Sequence, residues 1–231
     1  MIVDNTVIAR RPLGRRSNLR SEIASTSSVM LPRNDVTRFF VIVLIFLTLF
    51  CTTLFAAKLP IFGKVPEFSF VDQNGKPFSN SDLKGKVWIA DFIFTRCQGM
   101  CPLITGKMAG LQDKLKAQDI KLVSFSVDPE HDTSEVLSKY AVSHKAISGK
   151  WFFITTNQKQ TMWDFIMSGF MLGVGESTPE DLKQGAEPVM HSSRFVLVDQ
   201  DGNIRGYYDS EDAEKMEKLA EDAQNVEKES H

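Results

Sequence analysis

The sequence predicts an α/β domain: a mixed sheet flanked by helices, opened by an N-terminal hairpin and preceded by one apolar transmembrane helix. Three observations carry this expectation. Two nearly continuous apolar runs, 87–94 (VWIADFIF) and 120–127 (IKLVSFSV), have the form of strands buried on both faces. Each is followed by a stretch that reads as an amphipathic helix. The pairs Asn74-Gly75 and Asp201-Gly202 stand between short apolar segments, as the tight turns of hairpins do.

Taken in order, residues 1–38 form a basic head with seven Arg against three acids, rich in Ser and without apolar periodicity, and are expected to be disordered. The nineteen residues 39–57 (FFVIVLIFLTLFCTTLFAA) carry no charge. As a helix they would span roughly 28 Å, about one hydrocarbon core. A cleaved signal peptide is the competing reading. Its apolar region would be shorter, and Leu54 and Phe55 stand where a cleavage site needs small residues. Lipid attachment at Cys51 is opposed by the bulky Phe50 before it, so Cys51 reads as an apolar residue of the anchor. The positive head would stay in the cytoplasm and the remainder lie outside, in the periplasm of a bacterium. The same head would also suit a mitochondrial presequence, which would put the domain in the intermembrane space.

Residues 58–66 read as a linker, and 67–231 as the folded domain. Phe68 to Val71 and Phe78 make the first hairpin around Asn74-Gly75. After the first buried run, Pro102 opens a helix to about Gln118, with Leu103, Met108, Leu111 and Leu115 at helical spacing. After the second run, Asp132 followed three residues later by Glu135 has the form of a capping box. A third strand is expected over 151–155 and a helix over 160–170. Residues 171–187 read as an irregular insertion, punctuated by Gly173, Gly175 and Pro179. A last hairpin spans 194–208, and the acidic tail, nine acids against three Lys from Asp209 onward, closes the domain as a helix.

Between head and tail the charges balance. No basic patch suits nucleic acid, so no nucleic-acid partner is expected. Three cysteines in 231 residues are too few for a disulfide framework, so those that matter should matter chemically. Cys97-Gln-Gly-Met-Cys101-Pro102 lies where a buried strand turns into a helix. Backbone N–H groups and the positive end of the helix dipole are expected there to lower the thiol pKa values. A spacing of four puts both sulfurs on one side of a helical turn, able to form a disulfide or clamp one metal. His191 precedes the last hairpin, and in a thioredoxin-like sheet that loop lies beside the first helix's N-terminus. Two thiolates and an imidazole suit copper, as Cu(I) or Cu(II), whereas zinc prefers a closed set of four. A structural His191 is the alternative, and Met100 and Met190 read as packing residues.

These blocks resemble the Sco/SenC family, the thioredoxin-like copper-binding proteins of cytochrome c oxidase assembly. The matching residues are Asp91-Phe92-Ile93-Phe94-Thr95-Arg96-Cys97 with Cys101-Pro102, then Ser126-Val127-Asp128-Pro129 with Asp132-Thr133, then His191-Ser192-Ser193. Val196-Leu197-Val198-Asp199 and Gly202 follow in family order, and the resemblance covers about residues 60–210. It implies copper ligands at Cys97, Cys101 and His191 and a place near the metal loop for Asp128. It also implies a copper-site subunit of the oxidase as partner, with lipid as a second partner through residues 39–57. Gln98 departs from the Pro common after the first cysteine, and 171–187 has no close counterpart. The expected activity is that of a copper metallochaperone working by ligand exchange. A thiol–disulfide oxidoreductase using Cys97 and Cys101 is the rival, a peroxidase or a pure interaction module the more distant ones.

Overall fold

The computed structural model describes residues 39–44 and 58–229. The expected disordered head, most of the expected anchor with Cys51, and the last two residues lie outside the described residues. Residues 39–44 are helical and exposed. Among the described residues no helix is long and apolar enough to cross a membrane.

From residue 58 onward the chain builds one eight-stranded sheet with helices packed against it. Its strands are β1 (Gly63–Lys64), β2 (Ser69–Asp72), β3 (Pro77–Ser79), β4 (Trp88–Ile93), β5 (Lys121–Ser126) and β6 (Trp151–Thr155), joined by β9 (Arg194–Val198) and β10 (Asn203–Asp209). A separate two-stranded ribbon is made by β7 (Val174–Glu176) and β8 (Val189–His191). The helices are α1 (Asn80–Leu83), α2 (Cys101–Lys114), α3 (Ser134–Ser143), α4 (Lys159–Phe170), α5 (Pro179–Lys183) and α6 (Ala213–Lys228). Sheet order is β1-β10-β9-β4-β5-β6-β2-β3.

The two apolar runs form the centre. β4 and β5 are parallel, from Trp88↔Lys121 to Ile93↔Ser126, and β6 continues the parallel set. All six residues of β4 are buried, which is why that run lacks polar alternation. Phe68, Phe125, Phe165 and Phe170 fill one face, with ring centroids 5.0–5.8 Å apart where they touch. Buried indoles find acceptors: Trp151 Nε1 donates to Ser124 Oγ (2.9 Å) and Trp163 Nε1 to the Val127 carbonyl (2.8 Å). Gly75 adopts φ 72° and Gly202 φ 81°, the left-handed conformations both hairpin turns require.

The closing helix begins at Asp212, whose side chain accepts the Glu214 and Lys215 amides (2.9 and 3.1 Å). It buries Leu219, Ala220, Ala223 and Val226, while Met216 packs partly buried. Its other side stays charged and wet.

Three expectations are corrected. Residues 58–66 are ordered: Gly63 and Lys64 pair with Ile204 and Asn203 on β10. Arg205, buried and bonded to Asp199 and Glu229, donates as well to the Leu59 carbonyl (2.8 Å from Nη2) and locks the segment down. Pro66 also packs against Gly169, where an added Cβ would lie 2.7 Å from Pro66 Cδ. Second, the 171–187 insertion is regular in part, supplying β7 and α5. Third, the N-cap of α3 is Thr133, whose side chain accepts the Val136 amide, and Asp132 turns inward instead.

Candidate metal centre

Parallel strands leave their C-terminal ends open to a crevice, and the segment after β4 enters it. Phe94 ends the buried run, and the Cys97 amide donates back to its carbonyl (3.3 Å), turning the chain toward α2. Pro102 fits the first turn of that helix, where a missing N–H leaves no bond broken. The N–H of Cys101 donates to Cys97 Sγ at 3.4 Å, so the first sulfur stands at the helix entrance. Both cysteines are free and buried, Cys101 completely.

His191 arrives on β8. Its register with Val174 places the imidazole over the cysteine loop, with Nε2 3.3 Å from Cys101 Sγ. The ring meets Phe94 edge-on at 5.7 Å. Its Nδ1 lies 3.1 Å from the Ser192 carbonyl, which can only accept, so Nδ1 carries the proton and Nε2 is left as a donor lone pair facing the thiol. Burial pushes the His191 pKa down, favouring the neutral imidazole, and the Ser192 carbonyl and the charge of Glu187 oppose the shift.

The expectation of lowered thiol pKa values fails at Cys101. Burial pushes that thiol well above its ordinary range, reinforced by Cys97 and by the charge of Asp91. Taking the sulfur out of water outweighs the helix-end field, so a metal must displace a proton to reach it.

Three carboxylates pin the loop from outside. Asp132, fully buried, accepts from the Thr95 amide (3.0 Å), the Thr95 hydroxyl (2.5 Å) and the Ser126 hydroxyl (2.6 Å). Burial, ahead of the charge of Asp128, raises its pKa, and these bonds oppose the rise. Asp128 receives Arg96 through Nε (2.9 Å) and Nη2 (2.7 Å) and also meets His131 Nδ1 at 3.0 Å. Its carboxylate therefore orients the residue before Cys97. Glu187 accepts the Gln98 amide at 3.0 Å.

The structure thus brings Cys97, Cys101 and His191 to one crevice, with Asp128 one residue removed. Among the described residues no group of three His, Cys, Asp or Glu side chains forms a ready-made metal cluster. Met100 packs partly buried as expected, but Met190 is exposed. Sequence reasoning missed Asp132 and Glu187. The first carried a helix-cap pattern, and the second sat in the uninterpreted insertion with no local signal.

Comparison with known proteins identifies the family of the chain. A homologue of the SCO1 protein in Bacillus subtilis (strain 168) is 40% identical over 149 residues, 64% of this chain and 74% of that one. A solved structure of BsSco, described as a member of the Sco family of cytochrome c oxidase assembly proteins with a disulfide switch, aligns with TM-score 0.64 and 32% identity, covering 74% of this chain and 98% of the other. Yeast Sco1 with copper bound shares the fold at TM-score 0.55 and 22% identity, covering 70% and 88% of the two chains. The family model described as SCO1/SenC matches residues 62–227, and the chain belongs to that family.

Proposed function

We propose that this chain is a membrane-tethered copper carrier. It takes one copper ion on Cys97, Cys101 and His191 and passes it by ligand exchange to a copper-site subunit of cytochrome c oxidase. The observation that carries the reading is the approach of His191 Nε2 to Cys101 Sγ at 3.3 Å, with Nδ1 engaged by a carbonyl. Two thiols and a neutral imidazole suit copper in either oxidation state. Both thiols must be reduced before loading, so copper uptake is tied to the redox state of the pair. The Cys101 amide donates to Cys97 Sγ at 3.4 Å, a bond that a metal-bound thiolate can keep. Three protein donors leave a position open to a partner's ligand, which suits delivery by ligand exchange rather than storage.

The uncharged run 39–57 with its basic flank supports the tether, the head lying in the cytoplasm. The domain would face the periplasm, or the intermembrane space if the chain is mitochondrial. Thiol–disulfide exchange with client cysteines is the second reading, favoured by two free cysteines one helical turn apart. The burial that holds Cys101 protonated weakens it as an attacking thiolate.

Copper quantitation on the reduced full-length chain tests the proposal. We expect about one ion per chain, from the single three-donor set, and its loss in Cys97→Ala and in Cys101→Ala. Full retention in either variant would reject it.

A further inference from the structure

The ribbon that bears His191 reaches the cysteine loop through the carboxylate of Glu187. β7 and β8 pair from Val174↔His191 to Glu176↔Val189, so His191 lies at the open end and residues 177–188 form the connection. The start of that connection is tied to α4 by Lys159 and Glu176 (2.6 Å). Its return is braced from within, for Ser177 donates its amide to the Pro188 carbonyl (3.1 Å) and its hydroxyl to the Glu187 carbonyl (2.5 Å). The brace aims the Glu187 side chain at the loop, where Oε1 accepts the Gln98 amide at 3.0 Å. Contact is close at the next residue too: a Cβ on Gly99 would lie 3.2 Å from the same oxygen.

Gln98 and Gly99 lie between two buried cysteines, outside any helix or strand, and a charge-assisted bond to a loop amide there is stronger than a neutral one. The same short segment carries Glu187 and, four residues on, His191. Whatever holds Glu187 on Gln98 therefore holds the imidazole on Cys101.

We propose that Glu187 is a latch, a positioning residue that keeps the His191 ribbon shut over the cysteine loop before metal arrives. Its purpose rests on the copper reading, but the closure itself is testable without metal. The Cys101 thiol, fully buried, reports it: opening the ribbon uncovers that sulfur.

The test is the rate at which iodoacetamide alkylates Cys101 in the reduced, metal-free, full-length chain, read by mass spectrometry. Glu187→Ala removes the acceptor, whereas Glu187→Gln keeps an oxygen at the same reach. Losing a charge-assisted bond in a local opening equilibrium should speed labelling about fivefold or more in the alanine variant. The glutamine variant keeps a neutral, weaker bond and should label at a rate between the two, slower than the alanine variant. Hydrogen exchange at the Gln98 amide reads the same contact directly, and should rise in Glu187→Ala while that of Ile104, inside α2, does not. Wild-type labelling in Glu187→Ala overturns the latch, as does a glutamine variant labelling as fast as the alanine one, or equal acceleration of exchange at Gln98 and Ile104. Should the wild type bind no copper, the copper reading falls and these results still decide the latch.

Discussion

Asp91 places a carboxyl in the middle of β4, fully enclosed, and neither oxygen has a hydrogen-bond partner. Burial pushes its pKa from 3.8 up to about 7, and the Ser124 hydroxyl, its register partner on β5, offsets part of that without reaching bonding distance. The sign follows from proton binding. Between 3.8 and about 7 the folded protein holds this proton and the unfolded chain does not, so stability falls as pH rises through that window. The full difference is on the order of 4 kcal/mol above pH 7. Asp91→Asn keeps the shape and removes the charge. Urea unfolding of the metal-free protein between pH 4 and pH 8 should find the variant close to wild type at the acid end. At the alkaline end it should be more stable by up to ~4 kcal/mol, about 10 °C in Tm for a domain of this size. Parallel stability curves for the two proteins across that range would refute the argument.

Two further substitutions probe what holds the site and the domain together. Asp132→Ala strands the Thr95 amide and two hydroxyls around a buried position and should destabilise the domain by about 2–4 kcal/mol, read from the urea midpoint. Arg205→Met leaves the buried Asp199 carboxylate without its cation and frees the Leu59 carbonyl. A loss of about 3 kcal/mol should follow, together with faster amide exchange at Phe62 and Val65.

What could be read from the chain alone divides along physical lines. The β4 and β5 runs and the Asn74-Gly75 and Asp201-Gly202 turns were legible because their signals are local: continuous apolarity and tolerance of positive φ. Cys97 and Cys101 were legible for the same reason, as a short spacing at a strand-to-helix junction. His191 could be placed only by assuming the sheet topology, which the β9–β4 pairing then supplied. Three features were illegible because they depend on partners far along the chain. Residues 58–66 look like a linker until Arg205, some 146 positions beyond Leu59, bonds to them. Asp132 fits a cap by pattern, yet Thr95 and Ser126 draw it inward, and Thr133 takes the cap. The Gly- and Pro-marked insertion hides β7, one strand of a ribbon whose two strands are three residues each, too short for any periodicity to show. The thiol environment was misjudged for a related reason. A helix terminus is visible in sequence, but the complete burial of Cys101 is not.

In the proposed carrier a late imidazole and two early thiols share one metal. X-ray absorption on the copper-loaded, full-length chain measures this directly, with His191→Ala beside the wild type. Two sulfurs and one imidazole nitrogen are expected around copper in the wild type, with loss of that nitrogen shell in the variant. A wild-type spectrum without nitrogen, or one unchanged by His191→Ala, would contradict it.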